Sequence, residues 1–511
     1  MRKTLLAITI MSAASVTAGA TVTDSVASVN RRIAARESLM WQMPSMAYDN
    51  PATRQWMLPV SYSDITAAYS YAAANRAVDP QKGKGSGIFS IGASTYMKHR
   101  SSTLWGSAGY SNGFLRSVNW NESADLETVG PYVIADSVGG NMRAESYSFA
   151  GGYADHNDRW AWGAALGYKA GLYYRNVDPR PRNTTNRLDI SAGVSVRIGS
   201  SDYSAGLSLN YQKYKQTGNL MFVNEMSNNR FWHLTGLGTH YERFESLGNA
   251  HYYNGNRIGI TADLFPRTRR GLSVAAGWQR MKTDHILTGL NKLPLQTLTD
   301  NGLSAQGAWL APGAVHDWSV SATLRYGRRT GAENIFGNPS SGVYPQIGSM
   351  DMYRRTRISV TGRGLWQWHP LQGALLAVEP AVTFSSDHQR YADPQRHIDN
   401  DRLIPSLRIL ASRGFGRLWR ASAEMTAEVS VPLSTSVLLP WDPSVSAGLQ
   451  TMELERADIL TKSYTTCGLR LSASRAIADR YALQLALGGS YSAFARSVNE
   501  KALTASLSFI F

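Results

Sequence analysis

Basic side chains recur at alternate positions in several segments between residues 353 and 474. The basic positions are Arg355, Arg357, Arg363, Arg402, Arg408, Arg420, Lys462 and Arg470, and the acidic ones are Glu379, Glu424 and Glu428. Side chains of a strand alternate between its two faces, so these residues would share one wall, and a positive pore wall favours anions. A structural interpretation stays open, in which acids on neighbouring strands pair with the arginines, as Glu424 or Glu428 could with Arg408, or in which the wall holds an N-terminal segment.

Aromatic and histidine side chains concentrate in a long segment at residues 216–256. They are Phe231, Trp232, His233, His240, Tyr241, His251, Tyr252 and Tyr253. Such residues anchor interfaces, so we expect this loop to pack on itself or to dock a partner, with a ligand gate as the second interpretation. Imidazoles also bind metals and haem, but the histidine spacings match no defined site. We therefore predict no metal and no cofactor.

Two short motifs are candidates for a catalytic site. Ser111-Asn112-Gly113 resembles the nucleophile segment of outer-membrane phospholipase A, whose histidine position is Gly109 here. A serine needs a neighbouring base to become a nucleophile, and Asn-Gly alone favours a tight turn. Asp155-His156 resembles a catalytic pair of omptin-type proteases. It falls in a predicted periplasmic turn, whereas the catalytic site of those proteases is external. We predict that the protein is not an enzyme.

Alternating strands supply the frame for these residues from about residue 64 onward. In one of them, Leu188, Ile190 and Ala192 alternate with Asp189 and Ser191. Short gaps between such segments alternate with longer ones, which is typical of outer-membrane barrels. The pattern predicts an all-β, transmembrane, antiparallel up-and-down barrel of about 18 strands (14 to 18) over residues 64–511, with short periplasmic turns and long extracellular loops. Tryptophans near the short gaps would form an aromatic girdle: Trp160, Trp162, Trp366, Trp368 and Trp419.

Composition excludes other classes of protein. Mean hydropathy is −0.26, and no apolar stretch after the N-terminus is long enough for a spanning helix, whereas alternating strands average their hydropathy away. Cys467 is the single cysteine, so no internal disulfide can form. The formal net charge of +15 suits anionic lipid headgroups; an exported barrel is not expected to bind nucleic acid.

The two termini predict export to the bacterial outer membrane. Arg2 and Lys3 precede an apolar run that closes with Ala18-Gly19-Ala20, which is typical of a secretory signal (residues 1–20) with a mature chain from about Thr21. The last strand alternates and closes on Phe511, and it resembles the last strand of outer-membrane barrels. That resemblance implies the barrel assembly machinery as a partner. This strand must pair with strand one to leave no open edge in lipid.

Residues 21–63 precede the barrel and carry a short motif, Asn50-Pro51-Ala52. In this position the motif resembles the one before the first strand in the long-chain fatty-acid transporter family and in barrels of the type-nine secretion machinery. The whole layout resembles a Bacteroidota outer-membrane barrel family without an assigned function. The resemblance implies that residues 21–63 form a plug or a periplasmic segment. We expect the motif to lie beside Phe511 at the periplasmic rim.

The combined expectation is transport, or assistance to transport, of a small solute, with an anionic solute as one option. Residues 21–63 and the loop at 216–256 would gate the lumen. The alternative is a barrel that does not transport and that anchors an accessory subunit of a TonB-dependent uptake or secretion complex. Expected partners are outer-membrane lipid, lipopolysaccharide, and either a TonB-dependent receptor or a surface lipoprotein.

Overall fold

A computed structural model describes residues 29–43, 46–224, 230–371 and 373–511. The predicted signal peptide and the start of the mature chain lie outside the described residues. The strands are β1 (Tyr62–Ala74), β2 (Gly85–Lys98), β3 (Ser102–Val118), β4 (Ile134–Ala135), β5 (Gly140–His156), β6 (Trp160–Tyr174), β7 (Arg180–Arg197), β8 (Tyr203–Met221), β9 (Trp232–Gly236), β10 (Thr239–His240), β11 (Ala250–Pro266), β12 (Gly271–Leu287), β13 (Leu293–Ala311), β14 (His316–Phe336), β15 (Gln346–Trp368), β16 (Ala374–Tyr391), β17 (Arg396–Phe415), β18 (Trp419–Leu438), β19 (Tyr464–Ala478), β20 (Tyr481–Ala493) and β21 (Asn499–Ile510).

The helices are few and short. They are α1 (Val29–Glu37), α2 (Leu39–Gln42), α3 (Leu126–Val129) and α4 (Ala447–Leu460), with single 3₁₀ segments at Met46–Tyr48, Pro51–Trp56 and Glu242–Phe244. Among the described residues, no helix is both long enough and apolar enough to cross a membrane.

Eighteen of the strands form one closed antiparallel barrel; β4, β9 and β10 make a separate small sheet. The barrel closes where β21 pairs with β1, and Asp64 lies opposite Ile510. Ser63 and Phe511 exchange two backbone hydrogen bonds of 3.2 and 3.0 Å. The predicted strand number and the predicted pairing of the first and last strands are confirmed. A closed sheet satisfies every ladder hydrogen bond, which is the condition for crossing lipid with strands.

The two faces of the barrel follow the alternation in the sequence. On β7, Ile190 and Val194 point outward and are 44% and 50% exposed, whereas Gly193 and Ser195 point inward and are buried. Trp160 and Trp162 lie on the outer face beside a short turn, where they are half exposed. The outer surface is therefore apolar with aromatic residues near the short turns, as the girdle prediction required.

Three long extracellular loops fold into the barrel and form a lid (residues 119–139, 230–249 and 439–463). β4 pairs with β9, and β9 with β10, so the first two loops share the small sheet. Lid residues Trp120, Trp232 and Leu449 form one buried cluster with the inward-facing wall residues Tyr214 and Tyr253. The lid is thus packed on the inner wall and does not project from the barrel.

Candidate functional site: the lumen between two covers

The N-terminal segment (residues 29–43 and 46–61) follows the inner wall at the end of the barrel that carries the short turns. Val29 and Ile33 of α1 pack with Ile510 of the last strand. Further along the segment, Leu39, Met40 and Met43 pack with Leu310, Leu365 and Leu375 of the wall. Tyr48 then packs with Phe265 and Ala275. The 3₁₀ segment Pro51–Trp56 contacts β5, β6 and β7. A short stretch of chain therefore contacts most of the circumference of the periplasmic half.

The Asn50-Pro51-Ala52 motif occupies a recess lined by glycines of three neighbouring strands. The Asn50 side chain accepts a hydrogen bond from Ala52 N–H (3.0 Å) and donates one to the Asp263 carboxylate (3.0 Å). A side chain at any of the three glycines would collide: a Cβ at Gly163 would lie 2.6 Å from the Pro51 carbonyl, one at Gly193 would lie 1.8 Å from Asn50 Oδ1, and one at Gly206 would lie 2.2 Å from Asp263 Oδ1. Only glycine permits so close an approach.

The expectation that this motif lies beside Phe511 is wrong. Asn50, Pro51 and Ala52 dock on β6, β7 and β8, whereas Phe511 pairs with Ser63 at the start of β1. Nine residues separate Ala52 from Tyr62, and even with residues 53–56 in a 3₁₀ segment this stretch can cross several strands, which lie about 4.8 Å apart. Nearness in sequence to strand one therefore did not fix nearness in space.

A buried charge cluster fastens the first lid loop to the end of β6. The Arg175 guanidinium contacts Glu122 at 3.1 Å and Asp136 at 2.8 Å, and all three side chains are at most 2% exposed. Burial raises the pKa of the Glu122 carboxyl well above its usual range, with the neighbouring Asp136 adding to the rise. Breaking such a pair would leave a buried charge uncompensated, so this contact holds the loop firmly.

Lid residues also bond to the wall on the opposite side of the lumen. Arg329 of β14 donates to the carbonyls of Gly130 (2.6 Å) and Glu127 (3.0 Å) and pairs with Asp300 at 2.7 Å. Arg396 of β17 is buried and donates to the Leu237 carbonyl at 3.1 Å. The lid is therefore tied to both sides of the barrel.

The residues predicted for the loop gate divide between the lid and the wall. Phe231, Trp232, His233 and His240 are buried within the lid, and Tyr241 reaches from it to the Asn334 carbonyl. Burial lowers the pKa of His233 to about 4, and that of His240 is lowered for the same reason.

The remaining three predicted gate residues belong to β11, because this strand starts at residue 250 and the loop is shorter than predicted. His251 and Tyr253 face the lumen. Tyr252 faces outward, where the Lys215 ammonium lies 5.7 Å from its ring. The His285 ring of β12 lies 5.7 Å from that of His233 and 5.3 Å from that of His251. Among the described residues, no group of three or more His, Cys, Asp or Glu side chains is arranged to hold a metal ion.

Half of the predicted basic wall is paired with carboxylates. Arg355 donates to Asp387 at 2.8 Å, Arg363 lies 3.3 Å from Glu379, and Arg408 lies 2.8 Å from Glu424. Arg420 pairs at 2.6 Å with Glu37 of the N-terminal segment. These contacts correspond to the structural interpretation of the wall, in which its charges pair across strands and hold the segment.

The other four predicted basic residues have different surroundings. Arg402 donates to Ser430 Oγ at 3.1 Å and to the Leu460 carbonyl, while Arg357 and Arg470 stand on the inner face. Lys462 is in the third lid loop, after α4, and is exposed rather than on a strand. Its placement on the wall was wrong because the sequence showed no boundary between α4 and β19.

A further local excess of positive charge lies on the opposite arc, outside residues 353–474. A mid-lumen chamber of about 490 Å³ is lined by Arg54, Lys169, Arg187 and Arg257, with Asp189 as the one acid among its lining residues. Lys169 and Arg187 are direct cross-strand partners. Asp189 accepts hydrogen bonds from Arg187 (2.9 Å) and Gln212 (2.5 Å). The alternation on β6, β7 and β11 could have indicated these residues.

Neither motif considered for catalysis forms a catalytic set. Ser111 Oγ lies 2.8 Å from Ser146 Oγ on the next strand, and its other neighbour along the same face is Gly109. His156 lies at a short turn with its Nδ1 2.6 Å from the Ser101 carbonyl. Within the described part of the chain, Ser111 has no base in contact and His156 has no nucleophile.

A family model matches residues 51–511, which is the whole barrel together with Pro51 and Ala52 of the Asn-Pro-Ala motif. The chain belongs to the family of unknown function DUF6850. No curated protein matches the sequence. The predicted likeness of this DUF6850 barrel to the fatty-acid transporters stays a prediction.

Solved structures with similarity to this DUF6850 chain include receptors and a channel. A variant of the ferric enterobactin receptor PfeA from Pseudomonas aeruginosa has 8% identity and a TM-score of 0.37, covering 88% of this chain and 80% of that chain. The ferric preacinetobactin receptor BauA from Acinetobacter baumannii has 7% identity and a TM-score of 0.40, with 88% and 80% covered. The monoaromatic hydrocarbon channel CymD has 11% identity and a TM-score of 0.30, with 91% and 92% covered. At these values the similarity carries no argument about solute or partners.

Proposed function

We propose that this DUF6850 barrel carries a small anionic solute across the outer membrane, with the N-terminal segment as the movable cover. The observation that supports an anion is the mid-lumen chamber, where four basic side chains face one acid. Positive side chains around a narrow, partly desolvated pore attract anions and repel cations. This excess of positive charge lies along β6, β7 and β11, on the opposite side of the lumen from the arginines of β15, β17 and β18 that pair with carboxylates.

The N-terminal segment is the better candidate for the moving part because of how it is held. It joins the barrel through one connection at β1, and its side-chain contacts include two ion pairs, Arg36 with Asp64 and Glu37 with Arg420. The Arg36 side chain is 49% exposed, so its pair contributes at most about 1 kcal/mol. Withdrawal of this segment would open the periplasmic half of the lumen.

Ion selectivity tests the proposed solute charge. In planar bilayers, we expect a reversal potential that favours chloride over potassium under a KCl gradient. Replacing Lys169, Arg187 and Arg257 together with glutamine should reduce that preference towards zero. The matched control is Arg328→Gln, because Arg328 is an exposed residue on the outer face of β14. If the triple variant keeps the full preference, the chamber does not select the ion.

The alternative function is a barrel that does not transport and that anchors an accessory or secretion complex. The firmly attached lid favours it, since Arg175, Arg329 and Arg396 tie loops to the wall. Under this alternative, neither the full chain nor a chain without residues 21–61 conducts ions or takes up solute in liposomes. Crosslinking in native membranes would then recover a TonB-dependent receptor or a surface lipoprotein.

A further inference from the structure

A second cavity lies between the N-terminal segment and the wall formed by β1, β2, β3 and β5. Its volume is about 580 Å³, which is in the range of small-molecule sites. It adjoins the mid-lumen chamber, since the two cavities share Arg54 and Trp105 among their lining residues. A solute that left the chamber on this side would enter this vestibule next.

The lining of the vestibule is rich in aromatic rings. The segment contributes Trp41 and Tyr48, and the wall contributes Tyr62, Tyr96 and Trp105. Buried aromatic faces interact favourably with another ring that stacks on them or meets them edge-on. This many rings around one cavity therefore favour a planar aromatic ligand over an aliphatic one of similar size.

The charge of the vestibule is positive. Arg36, Arg54 and Arg269 line it, against Asp49 as the one acid among its lining residues. Arg36 is neutralised by Asp64 at 2.9 Å. Within the described ranges, neither Arg54 nor Arg269 forms an ion pair with a carboxylate.

Both of these arginines are held in place by neutral groups. Arg269 is 6% exposed, donates to the Met57 carbonyl at 3.1 Å, and lies over the rings of Trp41 (4.9 Å) and Tyr48 (4.6 Å). The Arg54 guanidinium lies 5.8 Å from the Trp105 ring. Asp49 is near enough to interact electrostatically with Arg54 but does not form an ion pair with it. A guanidinium held against aromatic rings without a paired carboxylate can receive a ligand anion.

We propose that this vestibule binds small aromatic carboxylates, with the carboxylate at Arg54 and the ring among the aromatic side chains. The inference rests on the proposed function only in making the vestibule part of the solute's route. Arg54 and Trp105 would then stand at the junction of the chamber and the vestibule and control passage between them.

Binding of 4-fluorobenzoate to the full-length protein in detergent, followed by fluorine NMR, tests this proposal. Two probes separate its parts: cyclohexanecarboxylate keeps the charge without the ring, and 4-fluorobenzyl alcohol keeps the ring without the charge. We expect each to bind at least tenfold more weakly than 4-fluorobenzoate. The affinity of cyclohexanecarboxylate, which carries no fluorine, is measured by its displacement of 4-fluorobenzoate, and competition by benzoate checks that the two fluorinated probes share one site. Equal affinity of either probe would overturn the proposed ligand class.

Two variants locate the site. Arg54→Gln should weaken 4-fluorobenzoate binding about tenfold, because it removes the unpaired guanidinium at the junction. Arg36→Gln is the matched control, since it lines the same cavity with a charge that Asp64 already neutralises; its effect should be threefold or less. Unchanged binding in Arg54→Gln would overturn the site. If 4-fluorobenzoate does not bind but chloride-selective conductance persists, this inference fails and the proposed function stands.

Discussion

The two ends of the lumen are covered by different kinds of structure. At the periplasmic half, one segment lies against the wall. It is joined covalently to β1 and seated by close contacts such as the Asn50 side chain over Gly193 and by one largely buried ion pair, Glu37 with Arg420. At the extracellular half, three loops, each anchored at both ends, are tied down by buried charges such as Arg175 and by a shared aromatic core. The segment has one covalent connection to the barrel and can leave as a unit. The three lid loops have six such connections, so the lid can open only if its core rearranges. We therefore propose that the segment is the gate and that the lid is a fixed constriction.

Removing the buried charge of the lid should have the largest effect. Arg175→Gln leaves Glu122 and Asp136 buried without their cation, which typically destabilises by about 3–5 kcal/mol. We expect much faster hydrogen exchange of residues 119–139 in the variant, with the barrel strands unchanged.

The matched control for this change is Arg180→Gln. Arg180 pairs with Asp178 at 2.6 Å, but its side chain is 39% exposed, so the loss should be at most about 1 kcal/mol. Equal exchange rates in the two variants would show that the lid does not depend on the buried cluster.

Acidification should have the second largest effect on the stability of the lid. His233 is fully buried, and its pKa of about 4 lies below the usual value, so the packed lid binds fewer protons than a loosened one. Lid stability is therefore complete above pH 6.5 and is lost as the pH falls towards 4, by roughly 3 kcal/mol at most. Protease accessibility of the lid measured between pH 7.5 and 4 checks this.

His233→Gln is the comparison for the acid effect, because it keeps a polar side chain but does not titrate. We expect most of the acid loosening to disappear, with a remainder from His240. Glu122 contributes in the opposite direction, because its raised pKa favours the packed lid in acid. A full pH dependence in the variant would move the titration to other groups of the lid.

A small change at the glycine recess should act on the segment and leave the lid intact. Gly193→Ala places a methyl group against Asn50, and such overpacking typically costs about 1–3 kcal/mol. We expect more frequent conducting events in planar bilayers. Gly327→Ala on β14 is the control, since a Cβ there meets nothing within 4 Å. Identical event frequencies in the two variants would mean that the recess does not seat the segment.

The barrel could be predicted from the sequence because strand alternation and gap length are local signals. Ile190 and Val194 had to face lipid once Asp189 and Ser191 faced the lumen, and no distant contact was needed to place them. The strand number and the closure of β21 on β1 followed from the same pattern.

The covers could not be predicted in this way because they depend on contacts between distant parts of the chain. Arg175 meets Glu122 across 53 residues, and Asn50 meets Asp263 across 213. No local pattern indicates that the loops turn inward, so the sequence alone predicts a loop for His251 and Tyr253 and a wall position for Lys462. Alternation on β6, β7 and β11 does indicate the inward-facing Lys169, Arg187 and Arg257, which lie outside residues 353–474.

Conductance of the chain without residues 21–61, compared with that of the full chain, tests the central claim most directly. Heat-modifiable mobility on gels and strand content by circular dichroism would first establish that the shortened chain still forms the barrel. We predict that the full chain is mostly closed and that the shortened chain conducts steadily with a preference for chloride. A folded shortened chain that stays closed, or equal conductance of both chains, would contradict the assignment of the gate to the N-terminal segment.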